Sequence, residues 1–551
     1  MLKGKRIELL IITSLCIIVW LVMYSSILNE KFIVNDDQPH NTAWMYKYST
    51  NNFLENDIII EFTEKIQPWG YWLIFSTTSK IIDPLILTKL FTLPLLFISI
   101  FFIYLFLRKF YNFNLTIIGI FLLFPVGIIA GAHARAFAFP FLFAFLYYYS
   151  YRKHIICYII FISSVLFYPI ISLIIVLFYF FGEIYNYIRK KKIVYRKILI
   201  FAFCMLIVGS IAVTKSIVIK QDKNIGRMYT KKEIMLMPEF SKTGRYLLQA
   251  QTTTPHKFFF EYTISSLRRY VPVRFGSIND ELKEKLKNIY YSFLLRFAIT
   301  LAFIIILILY GKSIIYNPLY VDIITIILFL SGIILYYLAT QLPDLLYFPE
   351  KYLRYTFQIS IGLVFLKLLN GVDKRFIYLI SGFIVMLFLV KNPREKGYID
   401  YSENKTVYDF IDNINRKSLI AGPLMISDQI PIICRKSVLF SFESSNVVFK
   451  HYWEKQKEKI FDYYTAIYAP SELELEKFIK KYHIDYLLYN LNYYSEPSDF
   501  VEFEPIGSFI LNQKSTSVNP LLNDLNNEAV TDLHNGYYIL DCVKYFNLKS
   551  Q

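Results

Sequence analysis

The 551-residue chain is poor in charge, since only 19% of its residues are Asp, Glu, Lys or Arg, whereas 55% are hydrophobic and 18% aromatic. Soluble domains carry about 25% charged residues. A series of soluble domains is excluded because the mean hydropathy is +0.40 and the apolar residues come in blocks long enough to cross a bilayer. Most of the chain is therefore predicted to lie in a membrane.

Cysteine is also scarce, and the five cysteines are too few for a disulfide scaffold and have no zinc-site spacing. Cys434 and Cys542 share the C-terminal region and could form a disulfide in an oxidising compartment. The sequence leaves open whether they pair. The same region has no glycine-rich phosphate loop, which argues against nucleotide binding.

The net charge is +16, which in a soluble protein would suggest nucleic-acid binding. In a membrane protein, however, Lys and Arg collect in cytoplasmic segments. The segments predicted to be cytoplasmic contain 16 basic residues against four acids nearby, whereas the first outer loop, residues 29–84, has four Lys and eight Asp or Glu. The basic excess therefore reflects orientation, and no nucleic-acid partner is predicted.

Hydropathy and charge predict about eleven membrane spans. The first, Ile7–Leu28, is longer than the core of a cleaved signal peptide and is predicted to be retained. Because Lys3, Lys5 and Arg6 precede it, the N-terminus is predicted to be cytoplasmic. The block His154–Ile188 is flanked by basic residues at both ends and is predicted to turn back near Tyr168–Pro169, which places the C-terminus outside. The other spans are Leu85–Leu107, Leu115–Ala132, Phe137–Tyr149, Ile198–Ser216, Ser292–Tyr310, Ile323–Ala339, Leu353–Leu369 and Phe376–Val390.

Two domains are predicted, giving a polytopic α-helical membrane protein with a C-terminal soluble α/β domain. Residues 1–390 form the transmembrane domain with outer loops 29–84 and 217–291, and residues 391–551 form the extracytoplasmic domain. Strands and helices alternate in that domain. The predicted strands are Ser418–Ala421, Ser437–Phe442 and Asp485–Leu491, and a capping box at Ser471–Glu474 starts a helix that ends near His483.

The first outer loop opens with Phe-Ile-Val-Asn-Asp-Asp-Gln-Pro-His, in which Asp36 and Asp37 are adjacent. Neighbouring carboxylates repel each other, so one pKa tends to rise unless a cation or metal lies nearby. This suits a general base or a metal ligand, although the pair could also be a solvated part of the loop. Trp44, Trp69 and Trp72 predict that the loop lies at the membrane interface, where a carboxylate pair suits a lipid-linked substrate.

Two arginines are predicted at outer membrane edges. Arg135 could hold a phosphate or pair with an acid, and Arg354 could grip a phosphate or extend to the membrane surface. In the middle outer loop, Glu239 and Arg245 could line a substrate cleft or be solvated. His133, next to Arg135, is predicted to be structural.

This layout resembles the GT-C superfamily of polytopic glycosyltransferases, which includes protein mannosyltransferases, lipid A aminoarabinose transferases and oligosaccharyltransferases. The architectural resemblance covers residues 1–390, and its specific match is the acidic pair that opens the first outer loop. The resemblance implies that Asp36 or Asp37 is the catalytic base or a ligand of a divalent metal ion. The predicted substrate-binding residues are His40, Arg135, Glu239, Arg245 and Arg354. The tripeptide acceptor-binding signature of oligosaccharyltransferases is not found.

The implied reaction is transfer of a sugar from a polyprenyl-phosphate donor to a glycan, lipid or protein acceptor. The resemblance implies an outer-face reaction in the cell envelope, at a bacterial inner or plasma membrane. One alternative is a polysaccharide polymerase or ligase, which would rely on outer-loop arginines such as Arg227, Arg245, Arg268, Arg269 and Arg274. Another is a lipid or oligosaccharide transporter, which would carry ionisable groups near the bilayer centre. Lys89 and Lys367 lie in apolar runs, but both are near enough to an end to reach the membrane surface.

Overall fold

The structure is a computed structural model that describes residues 2–50, 53–123, 126–190, 195–268, 305–315, 319–373, 375–377, 397–415, 417–492, 502–513, 519–524 and 527–551. The predicted spans Ser292–Tyr310 and Phe376–Val390 lie largely outside these residues.

Within the described part of the chain, five helical stretches are long and apolar enough to cross a membrane: Arg6–Ile27, Pro84–Leu107, Pro169–Arg189, Tyr195–Gln221 and Tyr320–Gln341. Large apolar side chains on two of them are exposed, with Leu10 68% and Leu206 69% accessible. Apolar faces of this extent are stable against lipid tails rather than water. The chain is an integral membrane protein.

Further helices, most of them shorter, belong to this part of the molecule. They include Gln38–Thr42, Tyr46–Ser49, Ile58–Lys65, Trp69–Thr78, Phe113–Leu123, Val126–Ile129, Ala138–Ser150, His154–Phe167, Lys231–Ile234, Leu248–Thr253, Pro255–Arg268 and Pro349–Leu369, and also Ile305–Ile315.

The predicted reversal at Tyr168–Pro169 is confirmed. Helix His154–Phe167 ends at Tyr168, which is extended with φ −153° and ψ 90°, because a residue before proline is disfavoured in the helical region. The next helix begins at Pro169. The hydroxyl oxygens of Tyr158 and Tyr179 lie 2.7 Å apart, so the two helices run antiparallel and form a hairpin.

The predicted span Leu115–Ala132 is wrong at its C-terminal end. The described residues are helical up to Leu123 and again over Val126–Ile129, but Gly131 and Ala132 have positive φ values of 72° and 47°. At Gly131 a Cβ atom would lie 2.5 Å from Nε2 of His133, so glycine is required at this turn. The turn is held by Tyr398, whose hydroxyl accepts a 3.0 Å hydrogen bond from the Gly131 amide.

The expectation that the two lysines in the apolar runs extend to the membrane surface is wrong, because both are buried. Lys89 is fully buried, and its ammonium donates to the carbonyls of Ile27 and Glu30 at 2.8 and 2.7 Å. Lys367 is buried 3.3 Å from the Asp322 carboxylate. A buried ammonium is tolerated when such acceptors replace water, so both lysines hold helix ends together.

The C-terminal region has the predicted α/β character. It contains the strands β3 (Leu419–Ala421), β4 (Ser437–Val438), β5 (Tyr486–Asn490), β6 (Val530–Asp532) and β7 (Tyr537–Asp541). They form a five-stranded sheet of order β4-β3-β5-β7-β6, with β3 parallel to β4 and β5, and β7 antiparallel to β5 and β6. The helices are Lys405–Asn413, Leu424–Asp428, Ile430–Ile433, Lys450–Tyr468, Glu472–Tyr482, Ile506–Gln513, Pro520–Asn523 and Cys542–Ser550.

Most local predictions in this region also hold. The predicted strands Ser418–Ala421 and Asp485–Leu491 coincide with β3 and β5, whereas only the first two residues of the predicted strand Ser437–Phe442 form β4. The Ser471 side chain caps the helix Glu472–Tyr482, which ends at a left-handed His483. Cys434 and Cys542 are buried free thiols, so they do not form a disulfide.

A two-stranded sheet joins the first outer loop to the C-terminal region. In it, β1 (Ile33–Val34) pairs antiparallel with β2 (Ile399–Asp400), with Ile33 opposite Asp400. The middle loop also contacts that region, because Met228 forms a bridge with Phe449 and Gly244 with Glu504. The acidic segment that follows β1 is therefore held between the helical part and the α/β part of the molecule.

Candidate active site

The acidic pair is positioned by Asn35, the residue that follows β1. The Asn35 side chain donates to the Gly397 carbonyl, and its Oδ1 accepts a 3.1 Å bond from the Asp37 amide. The same oxygen lies 2.8 Å from Nε2 of His133. Through Asn35, the backbone of the acidic pair is thus tied to Gly397 on one side and to His133 on the other.

His133 has a supporting role in this network, as the sequence predicted. It is 2% exposed, and burial followed by the nearby Arg135 lowers its pKa to about 3. The ring is therefore neutral at physiological pH. Since Asn35 Oδ1 can only accept, Nε2 of His133 carries the proton and donates to it.

The two carboxylates have different environments. Asp36 is exposed at the edge of the site, and partial desolvation followed by repulsion from Asp37 raises its pKa. Asp37 is more enclosed. Burial raises its pKa, but the Arg135 guanidinium, which forms an ion pair with it, outweighs this effect and brings about a net decrease. Asp37 therefore remains ionised, whereas Asp36 can exchange a proton nearer to neutrality.

Three cations lie near the pair on one side of the site: Arg135, Lys351 and Arg354. Lys351 interacts electrostatically with both arginines and with Asp37. Lys351 and Arg354 belong to the first turns of helix Pro349–Leu369, where a spacing of three residues puts their side chains on one face. The Nε atoms of Arg135 and Arg354 are buried without a hydrogen-bond partner among the described residues. We call these three residues the cation side; they could hold a phosphate.

The opposite side of the site comes from the middle loop and the C-terminal region. Arg245 pairs with Glu443 at 2.9 Å, and its guanidinium lies 4.0 Å from the centre of the Phe442 ring. The Glu443 amide donates a 2.7 Å bond to Asp428. Burial, then the nearby Asp37 and Asp36, raise the pKa of Glu443 against the effect of Arg245.

The structure brings together six of the seven predicted site residues. Asp37, Arg245 and Lys351 all act electrostatically on His40, whose pKa is lowered to about 4 chiefly by burial. His40 is therefore neutral. The six residues are Asp36, Asp37, His40, Arg135, Arg245 and Arg354.

Glu239 is not part of this cluster of six residues, and it is not solvated. It is 1% exposed, and its Oε1 accepts hydrogen bonds from Trp453 Nε1 at 2.9 Å and from Lys457 at 2.8 Å. Glu239 thus fastens the middle loop to helix Lys450–Tyr468. Glu239 and Arg245 are six residues apart in the same loop, so the sequence could not show which of them reaches the site. The turn between them separates their side chains.

The predicted interfacial role of the tryptophans fits only part of the loop. Trp44 is fully buried, and its Nε1 donates to the Asn41 carbonyl at 2.8 Å. Trp69 is 40% exposed, as expected at a membrane surface. Trp72 is half-buried and donates to Glu64 at 3.1 Å.

Sequence reasoning missed Lys351, Asp428 and Glu443. Lys351 lies three residues before Arg354, and this spacing on a helix could have revealed it. Glu443 follows the predicted strand Ser437–Phe442, and ligands often bind beyond the carboxyl ends of parallel strands. Asp428 had no comparable signal, since it approaches Glu443 only through the fold.

The implied divalent metal was tested against the ligands present. No group of three or more His, Cys, Asp or Glu side chains within the described ranges is arranged to hold a metal ion. Asp37 and Glu443 are each already paired with an arginine. This donor set does not fit a metal, so the chemistry of the site is derived from its side chains.

Among known proteins, the chain is similar to solved structures. No protein-family model and no curated sequence matches the chain. The fold is similar to that of archaeal oligosaccharyltransferase AglB from Archaeoglobus fulgidus, solved in complex with an inhibitory peptide and a dolichol-phosphate, at 11% identity and a TM-score of 0.46. The similarity covers 89% of this chain and 70% of that one. Similarity at this level fixes neither reaction nor substrate, so both have to be inferred from the residues themselves.

Proposed function

We propose that the protein is a membrane glycosyltransferase that moves a sugar from a polyprenyl-phosphate donor to an acceptor on the outer face. The observation that carries this proposal is the acidic pair beside the cation side. One carboxylate, Asp36, is exposed with a raised pKa, and the other, Asp37, is ion-paired with Arg135. A base next to a phosphate-binding cluster is what this transfer requires.

In the proposed step, the acceptor hydroxyl attacks the anomeric carbon of the donor sugar. Its oxygen forms the new glycosidic bond, its proton passes to Asp36, and the bond between the anomeric carbon and the phosphate oxygen breaks. The polyprenyl phosphate leaves with the electron pair of that bond. Arg135, Lys351 and Arg354 stabilise its charge, and Asp37 holds Arg135 in position.

The cluster of Arg135, Lys351 and Arg354 beside the acidic pair favours this function, and the basic residues that the alternatives would use have other contacts. Of the arginines that a polymerase or ligase would use, Arg227 is paired with Glu233 at 2.6 Å and Arg245 with Glu443. Arg269 and Arg274 lie outside the described residues. The lysines that a transporter would use, Lys89 and Lys367, are bound to carbonyls and to Asp322.

The test is a bond-cleavage assay in proteoliposomes. The purified chain is supplied with polyprenyl-phosphate hexoses and pentoses carrying a radiolabelled sugar, and with glycan, lipid and peptide acceptors. We expect labelled sugar to appear in an acceptor while free polyprenyl phosphate accumulates. Movement of intact donor across the bilayer without cleavage would instead establish a transporter and overturn the proposal.

A further inference from the structure

The side of the site opposite the cations has a different chemistry. We call Tyr401, Asp428, Gln429 and Glu443 the acid side; all four belong to the C-terminal region. Asp36 interacts electrostatically with both Tyr401 and Glu443, and Asp428 acts on Tyr401 as well. Asp36 is thus shared between the two sides.

The polar groups of the acid side are partly paired with one another. The Gln429 side-chain amide donates to the Tyr401 hydroxyl at 3.2 Å, and Asp428 accepts from the Glu443 amide. Gln429 is fully buried, and its Oε1 has no hydrogen-bond partner among the residues that the structure describes. A buried acceptor without a partner carries a free-energy cost that a hydroxyl-bearing ligand would remove.

The charge of the acid side excludes anions and favours hydroxyl groups. Its principal positive neighbour is Arg245, which is already paired with Glu443 and lies over Phe442. Burial, followed by the neighbouring Glu443, raises the pKa of Asp428 well above its usual range. A phosphate or carboxylate placed here would be desolvated and would face Asp36 and the Glu443–Arg245 pair, so its binding is disfavoured. A sugar hydroxyl can both donate to carboxylates and accept from a phenol or a protonated acid.

We propose that the acid side is the acceptor subsite, and that the acceptor is an uncharged sugar bound through its hydroxyl groups. This rests on the proposed function, because the donor phosphate must occupy the cation side for the acceptor to approach from the other. With the acceptor bound there, one of its hydroxyls faces Asp36, the base. In this arrangement the base lies beside the attacking hydroxyl, and the anomeric carbon lies between that hydroxyl and the leaving phosphate.

The test uses the full-length protein in nanodiscs and two kinds of probe. Saturation-transfer NMR measures binding of neutral trisaccharides of glucose, galactose and mannose, and of the corresponding uronic-acid trisaccharides. A separate titration measures binding of decaprenyl phosphate. The variants are Glu443→Gln and Tyr401→Phe for the acid side and Arg354→Gln for the cation side. The matched control is Asp412→Asn. It neutralises an acid of the same C-terminal region whose partner is Lys31 of the first outer loop.

We expect a neutral trisaccharide to bind and the uronic-acid probes not to bind. Glu443→Gln and Tyr401→Phe should each weaken neutral binding at least about fivefold, equivalent to the loss of one hydrogen bond. Arg354→Gln should weaken decaprenyl phosphate binding and leave the neutral sugar bound as in the control. Tyr401→Phe removes a single hydroxyl, so it remains informative if Glu443→Gln does not fold.

The outcomes distinguish the two proposals. If decaprenyl phosphate binds and depends on Arg354, but uronic-acid probes bind as well as neutral ones, the acceptor assignment is overturned and the proposed function stands. The acceptor assignment is likewise overturned if neither acid-side variant affects sugar binding, or if no neutral trisaccharide binds. If decaprenyl phosphate binding is absent or independent of Arg354, the proposed function itself fails.

Discussion

The two sides of the candidate site are each built around an arginine–carboxylate pair, yet they have opposite electrostatic characters. On the cation side, Asp37 neutralises Arg135 while Lys351 and Arg354 remain nearby. On the acid side, Arg245 pairs with Glu443 while Asp428 adds a second acid. The same pairing motif therefore serves a phosphate on one side and hydroxyl groups on the other, and the neighbours of each pair decide which.

The largest effect is expected at Asp36, where the two sides meet. Asp36→Asn removes the proton acceptor, so the transfer rate should fall by about 10²–10⁴-fold. The measurement is initial-rate transfer of labelled sugar in proteoliposomes. Asp412→Asn, at a partly exposed ion pair on the same C-terminal region, should stay within about twofold of wild type. Wild-type activity in Asp36→Asn would remove the base from the mechanism.

A loss of about 10²–10³-fold is expected for Arg135→Gln, since one stabilising contact to the leaving phosphate disappears. The substitution also frees Asp37 from its ion pair, so the pKa of Asp37 should rise. Carboxylate titration followed by infrared spectroscopy can detect that rise. An unchanged transfer rate would show that the phosphate binds away from Arg135.

The pH dependence of wild-type transfer should reveal the raised pKa of Asp36. Only the ionised carboxylate accepts a proton, so the rate should fall as the pH decreases through a value above the ordinary 3.8, by about tenfold per pH unit. This acidic limb should be absent from the residual rate of Asp36→Asn. A limb that persists in the variant would assign the titration to another group.

The smallest effect on activity is expected for Trp453→Phe, which removes the hydrogen bond to Glu239 outside the site. Glu239 then retains Lys457 but loses a buried donor, so the free energy of unfolding should fall by about 1–3 kcal/mol. Thermal unfolding in detergent measures this change. Transfer by the folded fraction should be unaltered, and a selective loss of transfer would return Glu239 to the site.

The features predictable from sequence are those fixed by local chemistry. Proline imposes the reversal at Pro169, hydropathy marks the long helices, and the acidic pair is visible as a dipeptide. The pairing of Asp37 with Arg135 depends on the turn at Gly131, and that of Arg245 with Glu443 joins segments about 200 residues apart. Such contacts come from tertiary packing, which no local pattern encodes. For the same reason Glu239 looked like a site residue although it is a packing residue.

The most direct test of the proposed mechanism measures donor binding and sugar transfer in one preparation of Asp36→Asn. In this mechanism the cation side binds the phosphate and Asp36 accepts the proton. The variant should therefore bind decaprenyl phosphate within about twofold of wild type while transfer falls by at least about 10²-fold. Transfer at the wild-type rate, or loss of binding and transfer together, would contradict this division of roles.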